Sequence, residues 1–309
     1  MDTAPILVLG FRRSENIGNI IDAIRPSLPK LVYFAVDGPR QGHPDDALLV
    51  VKTQKAINAI DWDCEVSTLF RVENLGLRHA VPEAVSWVLA EQKSVIVIED
   101  DAIPGTELLE FMSSQLILHE PNPKVAHVSG YNLVPKSQIS NKDSATRGSI
   151  YPESYLWGTW SRAWIHYNDN LPDLGNLLKN SNLSTYAKII WWLNFRMAQK
   201  NLINTWAYRW IASMWREDLH CISPNMNLTT YVGQDDGTHT KRKSRIIELP
   251  VLSINPYLDG PDVSIDQHAD TWVSKNVFHA SAFGVIEQSA VFTILSLFKF
   301  SEKIKSKFV

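Results

Sequence analysis

Cysteine is scarce in this chain, whose 309 residues include two, Cys64 and Cys221. Two cysteines cannot build a disulfide framework, and such usage suits a reducing compartment. Neither sign of charge dominates, and a net charge of -3 gives no indication of general nucleic-acid binding. By inspection, no apolar run reaches the roughly 20 residues of a membrane span, and the opening MDTAPILVLGF lacks the basic region of a signal peptide. The sequence therefore predicts a cytoplasmic protein.

Two phosphate-binding motifs are also absent. The chain has neither GxGxxG nor GxxxxGK, so a Rossmann dinucleotide site and a P-loop NTPase both lack their sequence signature. No internal repeat, low-complexity block or Pro/Gly/Ser-rich linker divides the chain. We therefore expect one compact domain with two lobes.

The first half alternates two kinds of segment. Short runs rich in Val, Ile or Phe predict strands, and the segments between them have helical apolar spacing, several beginning with a capping Ser, Asp or Thr. This alternation predicts an α/β fold, a mostly parallel central sheet flanked by helices. The predicted strands are 5–10, 31–37, 64–70, 94–99 and 125–130, and the predicted helices begin near residues 14, 44, 77 and 106.

Polar residues follow these strands, where open α/β sheets bind ligands. Phe11, Arg12 and Arg13 follow the first strand, and arginines at a helix start suit phosphate. Asp37 follows the second strand, either as a nucleoside ligand or as part of a plain Asp-Gly turn. The third strand leads to a tight turn and a helix start in ENLGLRHA, residues 73–80.

Three acids follow the most apolar strand, in SVIVIEDDAIPG. Clustered carboxylates raise one another's pKa unless a cation offsets them. Hard divalent cations such as Mn²⁺ or Mg²⁺ take oxygen ligands and often share them with substrate phosphates. The simpler alternative is a solvated turn in which Asp101 caps the next helix. Directly after a buried strand, Glu99, Asp100 and Asp101 favour a metal–diphosphate site.

The second half is rich in aromatic residues, and helical patterns dominate from about 184 to 218. The Trp residues of WGTWSRAW could stack on an acceptor sugar, but their spacing at 157, 160 and 164 is helical and favours a core position. The tail 290–309 interleaves Phe, Leu and Ile with four lysines. This pattern predicts a basic amphipathic helix, either on an anionic membrane surface or docked on the protein's own core.

These segments, in this order, resemble the GT-A glycosyltransferases. VIVIEDDAIPG is similar to the acidic metal motif of N-acetylglucosaminyltransferase I, and PILVLGFRRSENI, AVDGP and ENLGLRHAVPEAVSWVL resemble segments that precede it. CISPNMN and YVGQDDGTHT resemble its later strand and Gly-rich loop. YLWGTWSRAW and NTWAYRWIAS look like bacterial family-two-like transferases of surface polysaccharides. The resemblance runs from about residue 5 to about 240.

The resemblance implies a GT-A domain over 1–250, with a nucleotide-sugar half (1–130), an acceptor half (131–250) and a C-terminal extension (251–309). It implies a nucleoside-diphosphate-sugar donor, usually a UDP-sugar, and a saccharide or lipid-linked acceptor. Asp101 and His239 would hold Mn²⁺ or Mg²⁺. The expected donor-site residues are Phe11, Arg12, Asp37, Asn74, Gly76, Arg78, Glu99, Asp100 and Asp101; the expected acceptor or sugar contacts are Tyr131, Asn132, Trp157, Trp160 and Trp206.

The resemblance does not supply a catalytic base, because TWAYRW has no acid where the family carries one. The candidate bases are Glu153, Glu217, Asp235 and Asp236, and inverting and retaining chemistry both stay open. A nucleotidyltransferase is an alternative, although GFRRSEN lacks the Gly-rich, Lys-containing phosphate loop usual there. A non-catalytic carbohydrate-binding protein is another. The expected location is cytoplasmic, on the inner face of the membrane through 290–309, and the basic stretch 240–245 could attract an anionic lipid-linked acceptor.

Overall fold

The computed structural model describes residues 3–171, 173–179, 181–233, 249–252 and 264–305. In these ranges, eight strands form one sheet in the order β3-β2-β1-β4-β8-β6-β9-β7, and β5 and β10 form a two-stranded ribbon. The strands are β1 Ile6–Gly10, β2 Leu31–Val36, β3 Glu65–Phe70, β4 Ser94–Glu99, β5 Ala102–Pro104, β6 Val125–Ser129, β7 Thr146–Ser149, β8 Leu156–Trp160, β9 His220–Pro224 and β10 Thr229–Tyr231.

Helices flank this sheet, and the mostly parallel α/β architecture expected from the alternating pattern is confirmed. The helices are α1 Ser14–Ile24, α2 Asp46–Lys55, α3 Leu77–Leu89, α4 Leu108–Leu118, α5 Ser161–Trp164, α6 Leu174–Lys179, α7 Thr185–Gln199, α8 Ala207–Arg216, α9 Gln267–Asn276 and α10 Ala282–Lys305.

The first four strands in the sheet order, β3, β2, β1 and β4, are parallel, with β1 between β2 and β4. The inner residues of β1 and β4 are almost fully buried, which explains why both strands read as unbroken apolar runs. Parallel strands bring their carboxyl ends to one edge. The residues that follow β1, β2 and β4 therefore share that edge, here called the ligand edge.

Strand β8 departs from the sequence expectation. The Trp spacing that looked helical lies partly in a strand, which runs antiparallel between β4 and β6. Because β8 is central, its residues are buried on both faces, and a buried run cannot be assigned to helix or strand by periodicity alone. Its antiparallel direction starts β8 at the ligand edge, beside the end of β4.

The C-terminal segment also differs from expectation. It is one continuous helix, α10, that begins eight residues before the predicted amphipathic segment. Residues 282–301 of α10 are long and apolar enough to cross a membrane by length and composition, with a mean hydropathy of 1.4. The expectation that no segment reaches this length and apolarity is wrong, because the few Ser, Thr and Gln residues that interrupt the apolar run leave the helix apolar on average.

Candidate functional site at the ligand edge

The three acids after β4 lie at the ligand edge, and they differ in their partners. Asp100 is the ion-paired member, since Arg13 Nη1 lies 2.5 Å from its Oδ1. Asn16, in the first turn of α1, donates a hydrogen bond of 2.7 Å to the Asp100 backbone carbonyl. Burial raises the pKa of Asp100, and the charge of Arg13 acts in the opposite direction. Asp100 is therefore tied to the start of α1.

Glu99 and Asp101 are partly buried and incompletely satisfied. In the described residues, Glu99 Oε1 and Asp101 Oδ1 are buried oxygens without a hydrogen-bond partner. Burial, followed by the neighbouring negative charges, raises the pKa of Glu99 well above its ordinary value and that of Asp101 to about 6. A side-chain hydrogen bond with Trp206 lowers the pKa of Glu99 in part. Two buried carboxylates in this state favour a cation between them.

A short ribbon fixes the backbone of Asp101. Strand β5, which begins at the next residue, pairs antiparallel with β10, and Val232 donates a 2.8 Å hydrogen bond to the Asp101 carbonyl. A Cβ added at Gly233 would lie 2.9 Å from Asp101 Cβ, so only glycine fits there without a shift. The Oδ1 atom of Asp101 therefore lacks a partner in the part of the chain that the structure describes, while the Asp101 backbone is held by the ribbon.

Two tyrosines close the space beside Asp101. The rings of Tyr155 and Tyr231 are 4.8 Å apart, and Tyr131 meets Tyr155 edge-on at 5.4 Å. Burial, followed by the charge of Asp101, raises the pKa of Tyr231 to about 12, so its hydroxyl keeps its proton. Tyr155 and Tyr231 were not among the residues expected at this site. Tyr231 stands in the YVGQDD segment already singled out, which is the signal that could have found it.

Glu153 lies on the loop that enters β8 at the same edge. Burial raises its pKa to about 7, and Arg147 opposes the shift. Burial raises the pKa of Tyr155 most, and the charges of Glu153 and Asp101 both add to that rise. Tyr155 is therefore within electrostatic reach of both carboxylates. Of the candidate bases that the structure describes, Glu153 is the one at the ligand edge.

Glu217, the other described candidate base, is far from this group. It follows α8 and precedes β9, at the opposite edge of the sheet. Its carboxylate accepts a hydrogen bond of 2.9 Å from Arg216. Asp235, Asp236, His239 and residues 240–245 lie outside the described residues.

Arg12 and Phe11 belong to a cluster around a buried acid. Arg12 Nη1 lies 2.5 Å from Asp46 Oδ1, and Arg40 Nε lies 2.7 Å from Asp46 Oδ2. Both guanidinium groups lie over the Phe11 ring, at 5.6 and 5.5 Å from its centroid. Hydrogen bonds from Arg40 and Arg12 hold the pKa of Asp46 well below its usual range. Sequence reasoning missed Asp46 and Arg40, which stabilise two expected donor contacts.

Asp37 organises the turn before α3. Its two oxygens accept four hydrogen bonds of 2.9–3.0 Å, from the backbone of Gly38, Leu75 and Gly76 and from the Asn74 side chain. Gly76 has a φ of 71°, which suits glycine at the start of the helix. The expected donor residues Asp37, Asn74 and Gly76 are therefore brought together, and their hydrogen bonds hold the ligand-edge turn.

Arg78 points to a different partner from the one expected. Its guanidinium makes a two-pronged ion pair with Asp169, including a 2.8 Å bond from Nε, and it also donates to Asn201. The hydrogen bond from Arg78 lowers the pKa of Asp169. The guanidinium N–H groups of Arg78, which were expected to face a diphosphate, donate instead to Asp169 and Asn201.

The expected acceptor contacts are mostly core residues. Trp157 is fully buried and stacks between His127 and Trp206, and Trp160 donates to the Leu116 carbonyl. The structure thus places Trp157 and Trp160 in the core, with no exposed ring face for a sugar. Asn132 is also buried, and its Oδ1 accepts hydrogen bonds from Arg147 and Val134. Trp157, Trp160 and Asn132 are therefore packed inside the protein.

The described side chains do not form a complete metal site. No group of three or more His, Cys, Asp or Glu side chains in the described residues is arranged to hold a metal ion. Mg²⁺ needs fewer protein ligands, since it is commonly held by one or two carboxylates together with substrate phosphates and water. The free oxygens of Glu99 and Asp101 fit that partial donor set.

Comparisons with known proteins add little to this description. No protein-family profile matches the sequence, and no curated protein matches it. Among solved structures, the chain is similar to UDP-glucose pyrophosphorylase complexed with UDP-glucose, at 10% sequence identity and a TM-score of 0.36. The match covers 72% of this chain and 90% of the other. At this level of similarity, function is inferred from the site residues alone.

Proposed function

We propose that the protein is a metal-dependent glycosyltransferase that uses a nucleoside-diphosphate sugar, a UDP-sugar by its resemblance, and a saccharide or lipid-linked acceptor. The observation that carries the proposal is the pair of buried, unpartnered oxygens on Glu99 and Asp101 at the end of the central strand β4. Buried carboxylate oxygens without partners are costly, and a bound cation offsets that cost.

The cation would be Mn²⁺ or Mg²⁺. Asp101 would bind it through Oδ1, and Glu99 would bind it through Oε1. When bound beside a diphosphate, such an ion neutralises the charge that develops on the leaving group. Oxygen-only ligation suits these hard ions. Asp101 is suited to the role because its backbone is fixed by Val232 and its side chain has no competing hydrogen bond to Oδ1.

The residues around β1 supply the nucleotide side of the site. Arg13 lies next to the acids, and α1 begins at Ser14 with its backbone N–H groups at the ligand edge. A helix start and arginines attract phosphate oxygens. The Phe11 ring, which contacts two guanidinium groups, would lie near the nucleotide base.

In this proposal Glu153 acts as the catalytic base. It would take the proton from the acceptor hydroxyl as that oxygen bonds to the anomeric carbon and the bond to the diphosphate breaks. A base with a pKa near the working pH is the most effective, and burial brings Glu153 to about 7. A base on the acceptor side makes the displacement inverting.

The test is a thermal-shift panel with UDP, GDP and UDP-sugars, each with and without Mn²⁺. We expect a rise in melting temperature only when nucleotide and metal are both present, because the diphosphate completes the metal's ligands. Asp101→Asn should lose this shift while remaining folded. Asp63→Asn is the matched control, since the Asp63 side chain is fully exposed and remote from the site.

Product analysis separates the alternatives. Release of a nucleoside diphosphate from a UDP-sugar supports glycosyl transfer, whereas release of pyrophosphate would assign a nucleotidyltransferase. A metal-independent nucleotide shift that survives in Asp101→Asn would contradict the proposal. Absence of any turnover with intact metal-dependent binding would leave a carbohydrate-binding protein as the better description.

A further inference from the structure

Helix α10 is apolar yet exposed. Only 6% of its 282–301 window is buried by the described residues, whereas a core helix of this hydropathy would be mostly buried. A helix that is apolar on all sides belongs either in a protein core or in lipid. Five large apolar side chains of α10 are at least half exposed within 283–298: Phe283 75%, Ile286 68%, Ile294 51%, Leu297 63% and Phe298 65%.

The two faces of α10 have different surroundings. One face contacts α7, where Gln288 donates to Asn194 and Phe292 meets Trp192. At about 100° per residue, the exposed side chains centre on the side of the helix opposite to Gln288 and Phe292. The outward face is therefore mainly apolar along the helix, which is about 36 Å long at 1.5 Å per residue, and Glu287 is the acid within it.

Helix α7 extends this surface. Tyr186, Ile189 and Trp192 lie one turn apart on α7, and they are 47%, 38% and 42% exposed. Contact between Trp192 and Phe292 joins the α7 strip to α10. We define these exposed residues of α7 and α10 together as the apolar platform. Its aromatic residues are of the kind enriched at membrane–water interfaces.

The charges around the platform are mainly positive. Among the described side chains of α7 and α10, the basic residues are Lys188, Arg196 and Lys299, and the acid is Glu287. In the sequence, Lys303, Lys305 and Lys307 follow Lys299, with Glu302 among them. Clusters of lysines beside an apolar helix attract anionic lipid headgroups.

We propose that the apolar platform docks onto an anionic lipid bilayer, with α10 lying in the plane of the membrane surface. Attachment of α10 to α7 favours the in-plane arrangement, because a helix packed on one side against the protein cannot be surrounded by lipid. A second copy of the chain is the poorer occupant, since its own platform would bring further positive charge and few acids to the contact. This proposal is independent of the sugar-transfer proposal, and its test needs no donor, metal or turnover.

The experiment is vesicle flotation of the full-length chain with phosphatidylcholine alone and with phosphatidylcholine containing phosphatidylglycerol. We expect binding to the anionic vesicles that weakens as salt rises, because salt screens the lysines. The double variant Leu297→Glu/Phe298→Glu places two charges on the outward face. It should reduce the bound fraction at least about tenfold, since it removes buried apolar area and adds repulsion.

The matched control is Leu48→Glu/Val72→Glu, which makes the same kind of change at apolar residues that are 61% and 88% exposed elsewhere. This control should bind like the wild type, and circular dichroism should show all three proteins folded. Equal vesicle binding by the α10 variant and the control would overturn the proposal. So would failure of the wild type to bind, or a wild-type dimer in light scattering that the α10 variant alone dissociates.

Discussion

The carboxylates at the ligand edge are chemically alike, but they have different hydrogen-bond and ion-pair partners. The partners of each carboxylate determine its role. Asp37 accepts four hydrogen bonds, three of them from the turn before α3, Asp100 is paired with Arg13, and Asp101 keeps a buried oxygen free. A carboxylate whose oxygens all have hydrogen-bond partners stabilises the fold, whereas a buried carboxylate oxygen without a partner is available to bind a ligand. Asp101 is therefore the residue where loss of function and loss of stability are expected to separate most clearly.

Glu153 offers a test through pH. The folded protein holds the Glu153 proton to about pH 7, whereas the unfolded chain releases it near 4.5. Stability from this group is therefore complete below about pH 4.5 and declines as pH rises to about 7. Glu153→Gln should gain about 1–3 kcal/mol relative to wild type at pH 8 and nothing at pH 4.5, as measured by urea denaturation.

The same substitution should abolish sugar transfer, and the wild-type kcat/KM should rise with pH through about 7. Glu217→Gln is the control, because Glu217 lies at the opposite edge of the sheet and is paired with Arg216. Full activity in Glu153→Gln, or a stability difference that does not change with pH, would remove Glu153 as the base.

Residues that directly follow predictable strands could be placed from the sequence, and their partners could not. The position of Asp101 follows from the apolar run of β4, a local signal. The pairing of Arg78 with Asp169 joins residues 91 apart in sequence, and it depends on how α3 packs beside the loop before α6. Local patterns carry no information about such pairs.

Among the elements, α9 shows how a single cap can attach a terminal segment. Asp266 accepts hydrogen bonds from His268 and Ala269 at the helix start, and it also binds the backbone and hydroxyl of Ser140. Asp270, one turn later, accepts from Ser149 and Ile150. These bonds hold α9 against the end of β7.

We expect Asp266→Ala to lower the free energy of unfolding by about 1–2 kcal/mol, because it removes a helix cap and leaves the Ser140 amide without its acceptor. Asp45→Ala is a matched control: Asp45 occupies the same cap position on α2, makes no cap hydrogen bond and is exposed. Denaturant unfolding followed by circular dichroism measures both. A loss of equal size in the two variants would refute the capping role.

Element type was predictable where a segment was buried on one face or was flanked by clear turns. The helices α1, α3 and α4 and the strands β1–β4 and β6 fall where the apolar spacing placed them. Strand β8 did not, because its Trp residues have a spacing that also fits a helix and because it runs directly into α5 without a turn. The spacing of apolar residues along the sequence does not show which strands will lie beside a given segment in the folded sheet.

For the whole molecule, α10 is peripheral to the main core. Its contacts with the rest of the described chain are made chiefly with α7, and Val285 packs on a small cluster formed by Ala187, Ile190 and Ala280. Deleting residues 282–309 should therefore leave a folded α/β domain that retains metal-dependent nucleotide binding. Circular dichroism and the thermal-shift panel test this expectation, and an unfolded or aggregated product would contradict it.

Asn201 connects α10 to the ligand edge. It adopts a φ of 54°, its side-chain oxygen accepts from Arg78 and Arg209, and its backbone carbonyl accepts from Lys299 at 3.2 Å. One residue thus joins α10, α8 and the first turn of α3, which adjoins the Asp37 turn. Lys299 of α10 and Arg78 of α3 thus bind the same residue, so a displacement of α10 along α7 is expected to reach the start of α3 through Asn201.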